Sequence, residues 1–89
     1  MATHTLKTWP VPFEEVWEGR KTFELRQNDR GFKVGDMLAL REYDPAEMTY
    51  SGRQVTVHVS YIAESAWGLP DGLAVMCWTH RYCIQGPPS

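Results

Sequence analysis

Residues 19–36, GRKTFELRQNDRGFKVGD, connect the end of a predicted helix to a strand and then to a polar turn. Within this stretch KTFELRQ alternates in character, with Phe23 and Leu25 on one face and Glu24 and Arg26 on the other. An alternation of period two is typical of a β-strand. The stretch therefore predicts a strand near the start of the fold that carries its charges on a single face.

The segment before this strand predicts a short helix over 12–19, PFEEVWEG. Phe13, Val16 and Trp17 are spaced i, i+3, i+4 and would form one apolar stripe. Gly19 suits the position just after the last helical residue, where a left-handed backbone is common. The helix is therefore expected to end at this glycine and to turn the chain into the strand.

Three further strands are predicted downstream. They cover 37–44 (MLALREYD), 53–63 (RQVTVHVSYIA) and 73–84 (LAVMCWTHRYCI). The residues 45–52 predict a loop that ends in a Ser-Gly turn. The residues 84–89 predict a frayed tail.

These elements predict an α+β fold, a small curled and mostly antiparallel sheet or β-barrel with the short N-terminal helix packed against it. The 89 residues are too few for two cores, so residues 1–89 are expected to form a single domain. Val55, Val57 and Val59 share one strand face and are expected to point into the interior.

Composition excludes several classes of function. The formal charge of −2 argues against a broad basic surface for nucleic acid. No apolar run approaches the length of a membrane span, so no membrane partner is expected. Cys77 and Cys83 would lie on one strand, too far apart for a disulfide, and free thiols indicate a cytoplasmic location. No metal site or cofactor is predicted, and the oligomeric state is left open.

Residues 19–26 match the G-x-K-x-x-E-x-R signature through Gly19, Lys21, Glu24 and Arg26. On this motif the chain resembles the ASCH domain family of the PUA-like superfamily. The similarity extends over about residues 4–78, most of the chain, and is to a small bacterial and phage branch of unknown function. Without the resemblance, a solvated strand face followed by a turn, with surface ion pairs that contribute little, would be the preferred interpretation of the same charges.

The resemblance implies a PUA-like β-barrel with a cleft between barrel and helix, which Lys21, Glu24 and Arg26 would face. The superfamily is associated with RNA binding and with recognition of modified nucleotides. Some ASCH relatives are amidohydrolases that remove an acetyl group from a modified cytidine. Those relatives carry a Thr where this chain has Glu24, and a further carboxylate in a helical insertion. Here that region is only 64–72, ESAWGLPDG.

The candidate ligand-binding residues are charged, polar or aromatic side chains in or near the signature. Lysine and arginine can hold a phosphate, a carboxylate can accept from a base amino group, and tryptophan can stack on a base. Trp67 is a second tryptophan that could stack. The predicted ligand-binding set is Lys7, Trp9, Lys21, Glu24, Arg26, Asn28 and Arg30.

Three functions remain open at this stage. The first is a binding module for RNA or for a modified nucleotide or nucleoside. The second is a small nucleoside or RNA hydrolase, amidohydrolase-like, with Lys21 and Glu24 as its catalytic pair. The third is a phage accessory protein that contacts another protein.

Overall fold

A computed structural model of the protein describes residues 1–64 and 68–87. These residues form seven strands and one helix, which follow one another with short connections. In chain order they are β1 (Thr3–Thr8), α1 (Pro10–Trp17), β2 (Phe23–Gln27), β3 (Met37–Asp44), β4 (Thr49–His58), β5 (Tyr61–Ala63), β6 (Leu73–Cys77) and β7 (Arg81–Gln85).

The strands are arranged in two sheets. The four-stranded sheet has the order β1-β3-β4-β7, in which β1 is parallel to β3 and the other pairs are antiparallel. The three-stranded sheet has the order β2-β6-β5 and is antiparallel throughout. Among the described residues no backbone ladder joins the two sheets, so these strands do not close into a barrel. The coarser prediction, an α+β fold of mostly antiparallel strands with one short helix, is confirmed.

The helix begins two residues earlier than predicted, at Pro10, and its last residue is Trp17. A proline is well tolerated in the first turn because its missing N–H would have no helical partner there. Gly19 follows the C-cap with a φ of 82°, as the helix-ending role requires.

Two of the predicted strands are each divided in two. The segment 53–63 bends after Val59, so that its first part belongs to β4 and its last three residues form β5 in the other sheet. The segment 73–84 divides in the same way into β6 and β7, around Trp78. The first segment alternates in character up to Tyr61, and the second has an apolar run over 73–78 with no Gly or Pro directly after it. Neither pattern indicated that the chain changes sheets.

The predicted loop over 45–52 is also too long. Strand β4 already begins at Thr49, and Gly52, expected in a turn, lies inside it with a φ of 91°. A Cβ at position 52 would clash with the carbonyl oxygen of Gly86. The glycine is therefore required by the close approach of the chain after β7, whose Gly86 N–H donates to the Gly52 carbonyl.

The predicted tail begins too early, because β7 runs to Gln85. Cys77 and Cys83, predicted on one strand, lie on β6 and β7 in different sheets, and both are free thiols. Within the described ranges, no helix has the length and apolar character that crossing a membrane requires.

The core lies between the two sheets and the helix. Val55, Val57 and Val59 are at most 2% exposed, which confirms the interior face predicted for them. The helix contributes two fully buried side chains, Phe13 and Val16. The remaining buried apolar residues of this cluster are Leu6, Phe32, Leu38, Leu40, Met76 and Trp78.

Arg53 on β4 links the helix to the four-stranded sheet through hydrogen bonds to both. Its guanidinium donates to both carboxylate oxygens of Glu42, at 2.9 and 3.0 Å, and to Glu14 of the helix at 2.9 Å. It also lies 4.9 Å from the centre of the Trp17 ring. The hydrogen bond from Arg53 lowers the pKa of Glu42, and the bond to Glu42 raises the pKa of Arg53. This contact fixes the orientation of α1 and therefore the position of the residues at both of its ends.

Candidate functional site

The turn after the helix places Lys21 beside the first residues of β2. The N–H groups of Arg20 and Lys21 both donate to the carbonyl of Glu15, at 2.9 and 3.0 Å. These bonds close the end of the helix and fix the backbone direction that the positive φ of Gly19 makes possible. The lysine side chain is thereby directed towards the inward face of the neighbouring strand.

Lys21, Glu24 and Arg26 form one connected group, named here the charged cluster. The Glu24 carboxylate accepts a hydrogen bond from the Lys21 ammonium at 3.0 Å and one from Nε of Arg26 at 2.7 Å. Glu24 is only 5% exposed, whereas the side chains of Lys21 and Arg26 remain 20% and 31% exposed. A buried carboxylate is thus balanced by two partly solvated cations, and the cluster carries one net positive charge.

Strand β2 alternates as predicted, but its charged face points inward. Glu24 is buried, while Phe23 and Leu25 are 44% and 50% exposed. A solvated charged face, the alternative left open above, is therefore wrong for Glu24. Burial of a carboxylate is unfavourable unless it is paired and hydrogen-bonded, and the neighbouring lysine and arginine satisfy both requirements.

Two arginines span the gap between the edge strands β1 and β2, named here the β1–β2 seam. Arg26 donates to the carbonyl of Lys7 at 2.7 Å, and Arg30 donates to the carbonyl of Thr5 at 3.0 Å. Both acceptors belong to β1, which pairs along its other edge with β3. Side chains thus connect the two sheets where a closed barrel would have a backbone ladder.

A cleft of about 380 Å³ opens at this seam, beside the start of the helix. The Trp9 side chain on one lip is 61% exposed. The lining residues are Lys7, Thr8, Trp9, Pro12, Lys21, Glu24, Leu25 and Arg26. The structure therefore brings five of the seven candidate residues to one cleft: Lys7, Trp9, Lys21, Glu24 and Arg26.

The other two candidate residues lie elsewhere. Arg30 lines a second cavity of about 240 Å³, which shares Arg26 with the cleft and so lies next to it along the seam. Asn28 lines neither cavity. Its side chain accepts from the N–H of Phe32 at 2.8 Å and donates to Glu64 at 3.0 Å, which orders the turn after β2. Trp67 lies outside the described residues.

Lys7 contributes to the cleft differently from Lys21. Its carbonyl accepts from Arg26, while its ammonium lies 4.3 Å from the centre of the Tyr43 ring, a side chain outside the cleft lining. His4 on the same strand is also outside the cleft and bonds Asp36 at 2.8 Å. Of the cations at the cleft, Lys21 and Arg26 are the two that contact the buried carboxylate.

Sequence reasoning missed three residues of the cleft. Leu25 and Pro12 also line the cleft, and Thr8 is 3% exposed with a hydroxyl that has no hydrogen-bond partner among the described residues. The alternation of β1, in which Leu6 and Thr8 share the inward parity, could have indicated that Thr8 is buried. No local motif distinguishes the other two.

The cleft can bind a small polar anion through its exposed cationic surface and a flat ring against Trp9. Its carboxylate has only two of about four acceptor positions occupied, so it can also accept from an amino group. Residues 1–64 and 68–87 contain no group of three or more His, Cys, Asp and Glu side chains that could hold a metal ion.

Comparison with known proteins places the chain among phage-related sequences. It is 31% identical over 68 residues to the "Uncharacterized 12.9 kDa protein in GpA 3'region" of Escherichia phage P2. That alignment covers 76% of this chain and 61% of the phage protein, so the chain spans less than two thirds of the length of this relative. Residues 3–78 match the family described as "Domain of unknown function (DUF3850)".

These matches confirm the coarser part of the resemblance, a phage-related family of unknown function. The assignment to ASCH and to the PUA-like superfamily stays a prediction. Because the match extends over most of the sequence, from β1 to the residue after β6, the chain belongs to the DUF3850 family.

Proposed function

We propose that this domain binds RNA, or a modified nucleotide, in the cleft at the β1–β2 seam. The observation that carries the proposal is the convergence of the charged cluster and an exposed tryptophan on a single cleft of about 380 Å³. That volume lies in the range of sites for small ligands. The PUA-like resemblance supports the same class of ligand, in a form of that fold that would be open between β1 and β2.

Each part of the cleft suits one part of a nucleotide. Lys21 and Arg26 keep exposed surface after bonding Glu24 and can donate to a phosphate. Trp9 offers a ring face for the base. Glu24 can accept from an exocyclic amino group such as N4 of cytosine. The overall charge of −2 agrees with recognition in a local pocket and not along an extended basic surface.

The hydrolase alternative receives less support from the same geometry. Lys21 and Glu24 are hydrogen-bonded to each other at 3.0 Å, and Glu24 is also held by Arg26. Neither group is therefore free to take a proton from water or to attack a carbonyl unless that bond breaks. The buried carboxylate is better suited to holding the two cations in place for a ligand.

Calorimetric titration with cytidine and with cytidine 5′-monophosphate tests the proposal. The monophosphate is expected to bind more tightly than the nucleoside, since only it offers a phosphate to the cations. Arg26→Gln should weaken monophosphate binding about 10- to 150-fold, the effect of losing about 1.5–3 kcal/mol from a charged hydrogen bond. Arg20→Gln is the matched control, because Arg20 carries the same charge outside the cleft with a 59% exposed side chain.

Two results would contradict this assignment. The absence of binding by the monophosphate and by short RNA would remove the nucleotide ligand altogether. Release of acetate from acetylated cytidine, detected by mass analysis and abolished by Lys21→Ala, would replace the binding module with the hydrolase.

A further inference from the structure

The outer face of the three-stranded sheet is apolar, and half of its side chains are exposed. The register of β2, β6 and β5 places eight side chains on this face, and among them only Gln27 is not apolar in character. Three of them, Phe23, Leu25 and Tyr61, are 44–50% exposed. The full set of residues on the outer face is Phe23, Leu25, Gln27, Tyr61, Ala63, Leu73, Val75 and Cys77.

This face carries two aromatic side chains in one row. Phe23 and Tyr61 both pair with Cys77, from opposite sides of β6. Their Cα atoms are therefore two strand spacings apart, about 9.5 Å. Strand β6 lies between them and contributes Cys77, so the row spans all three strands. Exposed aromatic side chains on the face of a sheet are a platform on which proteins stack the bases of single-stranded nucleic acid.

The aromatic row leads directly to the cleft. The Lys21 ammonium lies 5.3 Å from the centre of the Phe23 ring and also bonds Glu24 inside the cleft. Leu25 belongs both to the outer face and to the cleft lining. Along the protein surface, Tyr61 is therefore followed by Phe23, then by Lys21 and then by the cleft. The Lys21 ammonium lies where the aromatic row meets the cleft.

We propose that the ligand is a single-stranded nucleic acid segment of at least three nucleotides. One nucleotide occupies the cleft, and the next two stack on Phe23 and Tyr61. This inference rests on the proposed function, since it extends the ligand of that same cleft. The eight side chains that the strand register places on the outer face include no charged residue and contact bases, while the phosphates are held at the edge of the face by Lys21 and Arg26.

The charge distribution gives a quantitative expectation for this mode of binding. Only two cations contact the backbone, so the slope of log affinity against log salt concentration should be about −1.4, from about −0.7 per contact for single strands. A protein partner would instead use the aliphatic and aromatic residues of the face alike. The test therefore separates the aromatic row from the aliphatic remainder.

Calorimetry with cytidine 5′-monophosphate and with oligocytidylates of three and five nucleotides tests the proposal. The trinucleotide should bind at least tenfold more tightly than the mononucleotide, and five nucleotides should add little. Phe23→Ala and Tyr61→Ala should each weaken trinucleotide binding by about 5- to 150-fold, the range for loss of one stacked base. Tyr61→Ala, whose side chain is outside the cleft lining, should leave binding of the mononucleotide unchanged, and Phe23→Trp should retain the affinity of the native protein.

Two control variants test whether the loss of trinucleotide affinity is specific to the aromatic row. Tyr82→Ala removes an aromatic side chain that is 60% exposed on β7, in the other sheet. Leu73→Ala removes an aliphatic side chain from the same outer face, opposite Gln27 and away from the aromatic row. Neither variant should alter the affinity for the trinucleotide.

Equal affinities for the mononucleotide and the trinucleotide would overturn the stacking row while leaving the nucleotide site intact. Failure of every probe to bind would overturn the proposed function as well. If Leu73→Ala weakens binding as much as Phe23→Ala does, the row has no special role and the inference is wrong. Light scattering that shows a dimer of the native protein, lost in Phe23→Ala, would assign the face to a second copy.

Discussion

Replacing Glu24 by glutamine is the most direct test of the charged cluster. The amide keeps the shape of the side chain and removes its charge, which leaves Lys21 and Arg26 facing each other. Both cations lie within 3.0 Å of the carboxylate oxygens. Two cations bound to the two oxygens of one carboxylate lie roughly 5–8 Å apart, and at an effective dielectric constant of about 20 their repulsion is roughly 2–3 kcal/mol.

Two further contributions, of opposite sign, determine how far this repulsion changes the free energy of unfolding. Breaking a fully buried ion pair costs about 3–5 kcal/mol, because the remaining charge has no compensation. The lysine and arginine side chains are 20% and 31% exposed, so water can partly solvate them once the carboxylate is neutral. We expect Glu24→Gln to lower the free energy of unfolding by about 2 kcal/mol.

Urea denaturation followed by tryptophan fluorescence measures this change. An unaltered slope of the free energy of unfolding against urea concentration would show that the variant exposes the same surface on unfolding as the native protein. Glu15→Gln is the control, since Glu15 also bonds an arginine but its side chain is 45% exposed, and no measurable change is expected. If Glu24→Gln proves as stable as the native protein, the cluster does not hold the seam together. Its residues would then act on the ligand alone.

Three other changes probe the frame around the site. Asp36 has its pKa lowered to about 2, first by the hydrogen bond from His4 and then by the N–H of Ala2. The ionised Asp36 therefore contributes to stability in full above pH 3.8, and this contribution is lost as the pH falls towards 2. The melting temperature of Asp36→Asn should accordingly fall less steeply with decreasing pH than that of the native protein. Parallel plots of melting temperature against pH would contradict this. Gly52→Ala should cost more than about 2 kcal/mol, as measured by urea denaturation, because it adds a backbone clash to the unfavourable positive φ. Gly31→Ala, with open space around it, should cost less, and equal losses would refute the clash. Arg53→Lys should lower stability by about 1–3 kcal/mol, since lysine cannot replace the paired bonds to Glu42, and an unchanged urea midpoint would count against that role.

Local patterns predicted the elements well where one element had one environment. The apolar stripe of the helix and the valine face of β4 were both identified, because period and burial agreed there. The prediction was wrong where a strand passes from one sheet to the other, as at Val59 and Trp78. Alternation continues past Val59, and no Gly or Pro interrupts the sequence next to Trp78, so neither local pattern contains a signal for the bend.

In the candidate site, too, local sequence predicted some features and tertiary structure determined the others. The signature identified Lys21, Glu24 and Arg26, and the structure brings them to one cleft. Polarity alone would have placed Glu24 in solvent and Leu25 inside, the reverse of what is found. Burial of a charge depends on partners that tertiary structure supplies, and the arginine bonds to the carbonyls of β1 were not derivable from spacing in the sequence.

Those two arginine bonds also bear on how the chain avoids its own aggregation. The free edge of a strand offers carbonyl oxygens to any other extended chain, and this is a common route to intermolecular sheet growth. Arg26 and Arg30 occupy the carbonyls of Lys7 and Thr5 with charged groups that an incoming strand would have to displace. The two arginines that border the candidate site therefore also protect an exposed strand edge from pairing with another chain. Variants that lack both arginine side chains should form fibrillar or amorphous aggregates sooner on storage than the native protein.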